Sequence, residues 1–250
     1  MPTVVPADRI LLTGGSGRLG TELRALLPGI IAPSHAEMDV TDPASVASCV
    51  AQHHPLLLIH AAAYTNVARA ELERAACWQV NVGGTRHVVA AAIASGTPLV
   101  HISTDYVFDG QRGGYKEDDT LGPALNHYAL SKIVAEEVAR TAPHCLVIRT
   151  SFRPREWPYP VAFTDVYTSQ DYVDVIAPEI ALATQHAPAI PWDTLHIATE
   201  RKSVFDLARR RRADVRPGEK AGARVALPDD ISLDTTRWST LRIGLASEGV

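Results

Sequence analysis

Along the first 150 positions the apolar residues alternate between two patterns. Short continuous runs at 9–13, 56–60, 99–103 and 145–149, with a briefer one at 30–32, predict strands covered on both faces. Between them lie stretches whose apolar positions fall three and four apart. Leu19, Leu23, Leu26 and Leu27 make such a stripe over 18–27, stopped by Pro28-Gly29. Thr41, Asp42 and Pro43 open a helix over 42–52. A long helix over 70–95 ends at Gly96, and another spans 128–142. Strand and helix in alternation call for right-handed crossovers, so the expected fold is α/β with a doubly wound parallel sheet.

Beyond residue 150 this rhythm stops. Pro154, Pro158 and Pro160, with Trp157 and Tyr159 among them, predict a loop over 153–162. Helices follow over 172–183 and 204–212, with a short strand at 195–198. The expected division is a first domain over 1–152 and a small mixed lobe over 153–250. That lobe is expected to pack on the first domain rather than stand alone, with some C-terminal segments returning to it.

Composition narrows the possible functions. The 250 residues are 46% apolar and 21% charged, enough to bury a sizeable core. Lysine and arginine total 24 against 28 acidic residues, and this mild acidity argues against a nucleic-acid partner. Cys49, Cys77 and Cys145 are widely spaced, with no Cys-x-x-Cys, which suits a reducing compartment and gives no zinc pattern. The ten histidines include no His-x-x-x-His and no His/Cys cluster, so no metal is expected. Residues 1–9 lack a basic start and an apolar stretch, and no run nears the ~20 residues a bilayer needs. A cytoplasmic protein without a membrane partner is the expectation.

Thr13-Gly14-Gly15-Ser16-Gly17-Arg18-Leu19-Gly20 joins the first strand to the first helix, with Gly14, Gly17 and Gly20 three apart. Such a turn lets backbone approach a pyrophosphate closely, and the helix N-terminus supplies free N–H groups and a favourable dipole. Ser16, Arg18 and Leu19 fall in the same turn. The second strand ends in Ala32-Pro33-Ser34-His35, with no acid to accept a ribose 2′-hydroxyl. Arg18 fits a 2′-phosphate there or a solvated first-turn side chain, so NADP(H) is favoured and NAD(H) stays possible. Asp39, followed by Val40, fits a carboxylate facing the adenine or a turn acid.

Tyr128-Ala129-Leu130-Ser131-Lys132 puts a phenol and an ammonium one helical turn apart on one face. A tyrosine near pKa ~10 needs such a neighbour to exchange protons at neutral pH, since a cation favours the phenolate. Seven tyrosines and four lysines would give roughly 0.1 such pairs by chance. The fourth strand ends in Ser103-Thr104-Asp105-Tyr106, at the carboxyl edge where open parallel sheets bind ligands. A hydroxyl there can orient a carbonyl for reduction.

In these stretches the chain resembles the dTDP-4-dehydrorhamnose reductase family of extended short-chain dehydrogenase/reductases. Matching segments run through 10–20, 38–42, 60–66, 81–85, 101–110, 128–132 and 146–151, and more loosely through 167–177 and 232–241. The resemblance implies a Rossmann fold, an NAD(P)-dependent reductase and a nucleotide-sugar substrate, in a monomer or homodimer. It implies that Ala61, Ala62, Ala63 and Tyr64 line the dinucleotide, with Ser103 beside it. Thr104, Tyr128 and Lys132 become the catalytic set, while Asp105, Tyr106 and Phe152 lie near the sugar. Where the family has a glycine-containing loop and a full helix after the fifth strand, this chain has the proline-rich stretch 153–163. Two alternatives stay open: another carbonyl reductase or epimerase on this scaffold, and a dinucleotide-binding regulatory subunit. Trp157, Tyr159 and Trp192 fit a cleft cover or packing between lobes, Trp78 a core position, and the arginines at 209–212 a solvated helix end.

Overall fold

Five parallel strands build the central sheet of the computed structural model, which describes residues 4–222 and 227–247. They are β1 (Ile10–Thr13), β2 (Leu57–His60), β3 (Leu99–Thr104), β4 (Cys145–Thr150) and β5 (Thr194–Ile197), side by side in that order. Each pairs in parallel with the next, Thr13 opposite His60 and Thr104 opposite Thr150. Ile31 makes a single parallel bridge to Leu11 on the outer side of β1. The chain therefore steps outward from β1 to Ile31 and then returns across β1 to β2. That reversal leaves a crevice beyond the carboxyl ends of β1 and β2.

Strand residues alternate between two cores. Ile10, Leu12, Leu57 and Ile59 face one side, where α1 (Arg18–Leu26) packs with a helix at Val173–Gln185. Leu11 and Leu58 face the other, against α2 (Pro43–His53) and the helix Gly84–Ser95. A sheet buried on both faces explains why these strands are continuously apolar. A third, smaller core gathers Trp157, Val166, Tyr172, Val204 and Leu207. It is framed by short strand pairs, Phe152–Arg153 with Asp171–Tyr172 and Val161–Phe163 with Arg216–Gly218. The stretch expected to be loop thus carries two small strands. The segment at 194–197, well beyond residue 152, belongs to the central sheet.

Three expectations need correction. The run at 30–32 is one bridge, not a strand, because Pro33 follows at once and has no N–H to continue a ladder. The helix expected over 70–95 is broken. Val67–Ala70 forms a separate turn, and helix resumes at Arg74–Trp78, passes through a π-helical segment at Gln79–Gly83 and continues as Gly84–Ser95. Trp78 is not core: it is exposed, with its ring 6.1 Å from His127. Trp192 packs against the first core instead of a cleft. Among the described residues no helix is long and apolar enough to cross a membrane.

Candidate active site

A cavity of about 1100 Å³ lies beyond the carboxyl ends of β1, β2 and β3. Its first wall is the glycine turn. Gly14 has φ +76°, and a Cβ there would stand 2.7 Å from the Ala62 nitrogen. A Cβ on Gly20 would fall 2.2 Å from the Gly14 carbonyl oxygen, so α1 can start this close to the turn only with glycine at that position. The turn is closed by the Gly17 N–H donating to Gly14 O at 2.9 Å. Thr13 Oγ1 accepts from the N–H groups of Ala61 and Ala62 at 3.2 and 3.1 Å, tying the end of β2 to the end of β1.

Gly14, Ser16, Gly17, Arg18, Leu19, Gly20, Asp39, Val40, Ala61, Ala62 and Ala63 all line this cavity. Leu19 also packs down into the first core, and Arg18 is exposed at the rim. Asp39 lines the cavity and at the same time serves as a turn acid. Its carboxylate accepts from the Thr41 N–H and hydroxyl, each at 2.8 Å, and these bonds hold it below the ordinary carboxylate range. Tyr64 is the exception. It is absent from the cavity wall, and its phenol donates to Glu73 on the other side.

The second wall carries the expected catalytic residues. Asn126 caps the helix His127–Ala139, its side chain accepting from the Ala129 N–H at 2.8 Å. That helix lays Tyr128 and Lys132 along the end of β3, 8% and 3% exposed, beside Thr104 at 7%. Ser103, Thr104, Asp105, Tyr106, Tyr128, Lys132 and Phe152 all line the same cavity as the glycine turn. The Tyr106 ring meets Tyr128 edge-on at 6.0 Å. Lys132 Nζ donates to the Ile102 carbonyl oxygen at 2.9 Å.

Burial governs the protonation of this group. It pushes the Tyr128 phenol above its ordinary value, aided by the charge of Asp105 and opposed by a hydrogen bond with Thr104. The expected lowering of Tyr128 by Lys132 is therefore reversed in this structure. Burial likewise pulls the Lys132 ammonium down to about 8, with the charge of Glu136 resisting. Asp105 is pushed up to about 6 by burial, against hydrogen bonds from Thr104 and Ser151 and the charge of Arg153. A phenol that keeps its proton beside a hydroxyl and a cation is equipped to donate that proton to a developing alkoxide.

Two supporting arrangements carry no local sequence signal. Asn81, in the π-helical segment, accepts from the Tyr64 N–H at 2.7 Å and donates to Ser131 Oγ at 2.8 Å. Ser131 Oγ in turn donates to the Tyr128 carbonyl oxygen at 2.7 Å, so Asn81 holds the turn that presents Tyr128. A π-segment at such a point is in keeping with its frequent occurrence near functional sites. Below Lys132, fully buried Glu136 accepts from Ser103 Oγ at 2.8 Å and from Arg149 and Arg140. The Ser103 hydroxyl is thus turned into this network although the residue borders the cavity. Trp157 and Tyr159 also line the cavity.

The model of the RmlD substrate binding domain matches residues 8–160 of this chain. The chain belongs to the RmlD substrate binding domain family. Among its RmlD-family relatives, the dTDP-4-dehydrorhamnose reductase of Aggregatibacter actinomycetemcomitans is 40% identical over 151 residues, covering 58% of this chain and 51% of the relative. The chain spans about half the length of the curated relatives it matches. Two solved structures resemble it over most of its length. A hypothetical dTDP-4-dehydrorhamnose reductase from Sulfolobus tokodaii is 32% identical at a TM-score of 0.80, covering 93% of this chain and 94% of that one. The Bacillus anthracis dTDP-4-dehydrorhamnose reductase, solved with NADP, is 27% identical at 0.81, covering 94% and 92%.

Proposed function

We propose that the protein reduces the C4 carbonyl of a 4-keto-6-deoxy nucleotide sugar with NADPH, converting dTDP-4-dehydro-L-rhamnose to dTDP-L-rhamnose. The observation that carries this reading is the convergence of Thr104, Tyr128 and Lys132 on the cavity whose other wall is the glycine turn. The names of the RmlD-family relatives supply the substrate class.

The residues present fit a nicotinamide dinucleotide. The Gly14–Gly20 cradle excludes a Cβ at both its ends and opens onto the N-terminus of α1, where a pyrophosphate is favoured. Arg18 at the rim has no carboxylate partner among the described residues, which favours a 2′-phosphate and hence NADPH over NADH. When bound, the dinucleotide supplies the hydride. Lys132 would leave its Ile102 carbonyl to hold the nicotinamide ribose. Thr104 orients the substrate carbonyl through its hydroxyl, and Tyr128 delivers the proton to the oxygen as it becomes an alkoxide. Asp105 and Tyr106 face the sugar from the end of β3, with Phe152 beside them at the end of β4.

The test is to mix the purified protein with NADPH and a dTDP-4-keto-6-deoxy sugar and follow the nicotinamide absorbance. Oxidation in the wild type, lost by about 10²–10⁴-fold in Tyr128→Phe with NADPH binding retained, is the expected result. Tight NADPH binding with no oxidation would instead favour a dinucleotide-binding regulatory role.

A further inference from the structure

The proline-rich segment holds an arginine that forms no ion pair among the described residues. Arg153 lines the cavity directly after Phe152, with its guanidinium 5.4 Å from the Trp157 ring centroid. Its Nε is buried without a hydrogen-bond partner, and it forms no ion pair among the described residues. Neighbouring arginines are different: Arg155, Arg210 and Arg211 are matched to Glu22, Asp171 and Asp174. Asp105 is near enough to feel the charge of Arg153, but its carboxylate is engaged by the Thr104 and Ser151 hydroxyls. The Trp157 indole N–H, in a residue 5% exposed, is likewise buried and unpartnered. Two orphaned donors therefore sit on one corner of the cavity.

Holding the Arg153 Nε and the Trp157 indole N–H out of water without acceptors is unfavourable, unless a ligand supplies the acceptors. The other cations on the cavity wall have places elsewhere. Arg18 stands at the glycine turn, and Lys132 at Tyr128. Beyond residue 132, Arg153 is the one lysine or arginine that lines the cavity among the described residues. Apolar neighbours such as Phe163, Val166 and Val204 keep this end of the cavity low in polarity, which strengthens attraction for an anion.

We propose that Arg153, steadied on Trp157, is the residue that binds the diphosphate of the nucleotide-sugar substrate. The inference rests on the nucleotide-sugar reading given above and adds the residue that takes the charged part of that substrate. A planar fork on an aromatic face suits two phosphate oxygens better than a lysine would. Arg153 and Trp157 come from the segment after β4, whereas the glycine turn follows β1.

The experiment is calorimetric titration of the NADPH-loaded protein with dTDP and, separately, with uncharged thymidine. Arg153→Gln should weaken dTDP about ten- to hundredfold, the range for a lost charge-assisted hydrogen bond. Thymidine and NADPH affinities should stay unchanged, and Arg153→Lys should restore part of the loss. Unchanged dTDP affinity in Arg153→Gln would overturn the assignment while leaving the nucleotide-sugar reading intact. An equal loss of thymidine and dTDP would overturn it too, since the effect would then be one of packing. A wild-type protein that takes NADPH but not dTDP would sink the nucleotide-sugar reading itself, and this assignment with it.

Discussion

Arg149 Nε donates to both carboxylate oxygens of Glu136 at 3.1 Å, one helical turn below Lys132. Their side chains are 2% and 0% exposed, and Ser103 and Arg140 add further hydrogen bonds to the same carboxylate. Such a pair gives little net stability when intact, but breaking it strands a buried charge. Glu136→Gln is expected to cost about 3–5 kcal/mol, read as a lower denaturant midpoint at unchanged slope. A loss below about 1 kcal/mol would show that Arg149 finds another partner.

Lys132 gives a pH prediction. Burial lowers its ammonium to about 8, so it is charged below that pH and neutral above. Because kcat/KM reports the free enzyme, it should hold steady to about pH 8 and then decline. The charge of Glu136 raises Lys132, so Glu136→Gln should move this falling limb to lower pH. A limb that stays in place in the variant would separate Glu136 from the lysine.

Asp105 works against stability. Its folded carboxyl is raised from 3.8 to about 6, so the folded state binds the proton more tightly than the unfolded chain between those values. Stability from this group is therefore lost as pH rises through that window. Asp105→Asn should gain about 1–3 kcal/mol at pH 7, shrinking toward zero near pH 4, with turnover reduced. Thermal melts across this range would check it, and an equal gain at every pH would rule out titration as the cause.

Gly20 is the position where the cradle tolerates least. Gly20→Ala puts a methyl 2.2 Å from backbone, so the turn must open. NADPH affinity, followed by fluorescence titration, should fall by at least about tenfold, with a stability loss of about 1–3 kcal/mol. Retained affinity would mean that the turn does not hold the dinucleotide.

What could be read from the sequence divides by distance along the chain. The glycine turn, the Tyr128–Lys132 spacing and the strands at 10–13, 57–60, 99–104 and 145–150 are local patterns, and each appears where expected. The supports are not local. Ser103 meets Glu136 across 33 positions, and Asn81 meets Ser131 across 50. No spacing rule connects such pairs, so Asn81, Glu136 and Arg149 carried no signal as a site. The 70–95 helix misled because its composition suits one unbroken helix, while Glu71 and Glu73 in the turn at 71–73 bond His127 and Tyr64, and Asn81 in the π-segment bonds Tyr64 and Ser131. Nothing local in the proline-rich stretch marks Arg153, since only the fold leaves its Nε buried without a hydrogen-bond partner among the described residues.

Arg155 grips Glu22 through two hydrogen bonds of 2.8 and 2.7 Å, joining the proline-rich segment to the helix that follows the glycine turn. The two halves of the cavity thus share a fastening, although 133 positions separate them in sequence. Arg155 is largely exposed, so this fastening is a weak one. The two walls of the cavity are therefore loosely joined at this point, and a movement of either reaches the other only in part.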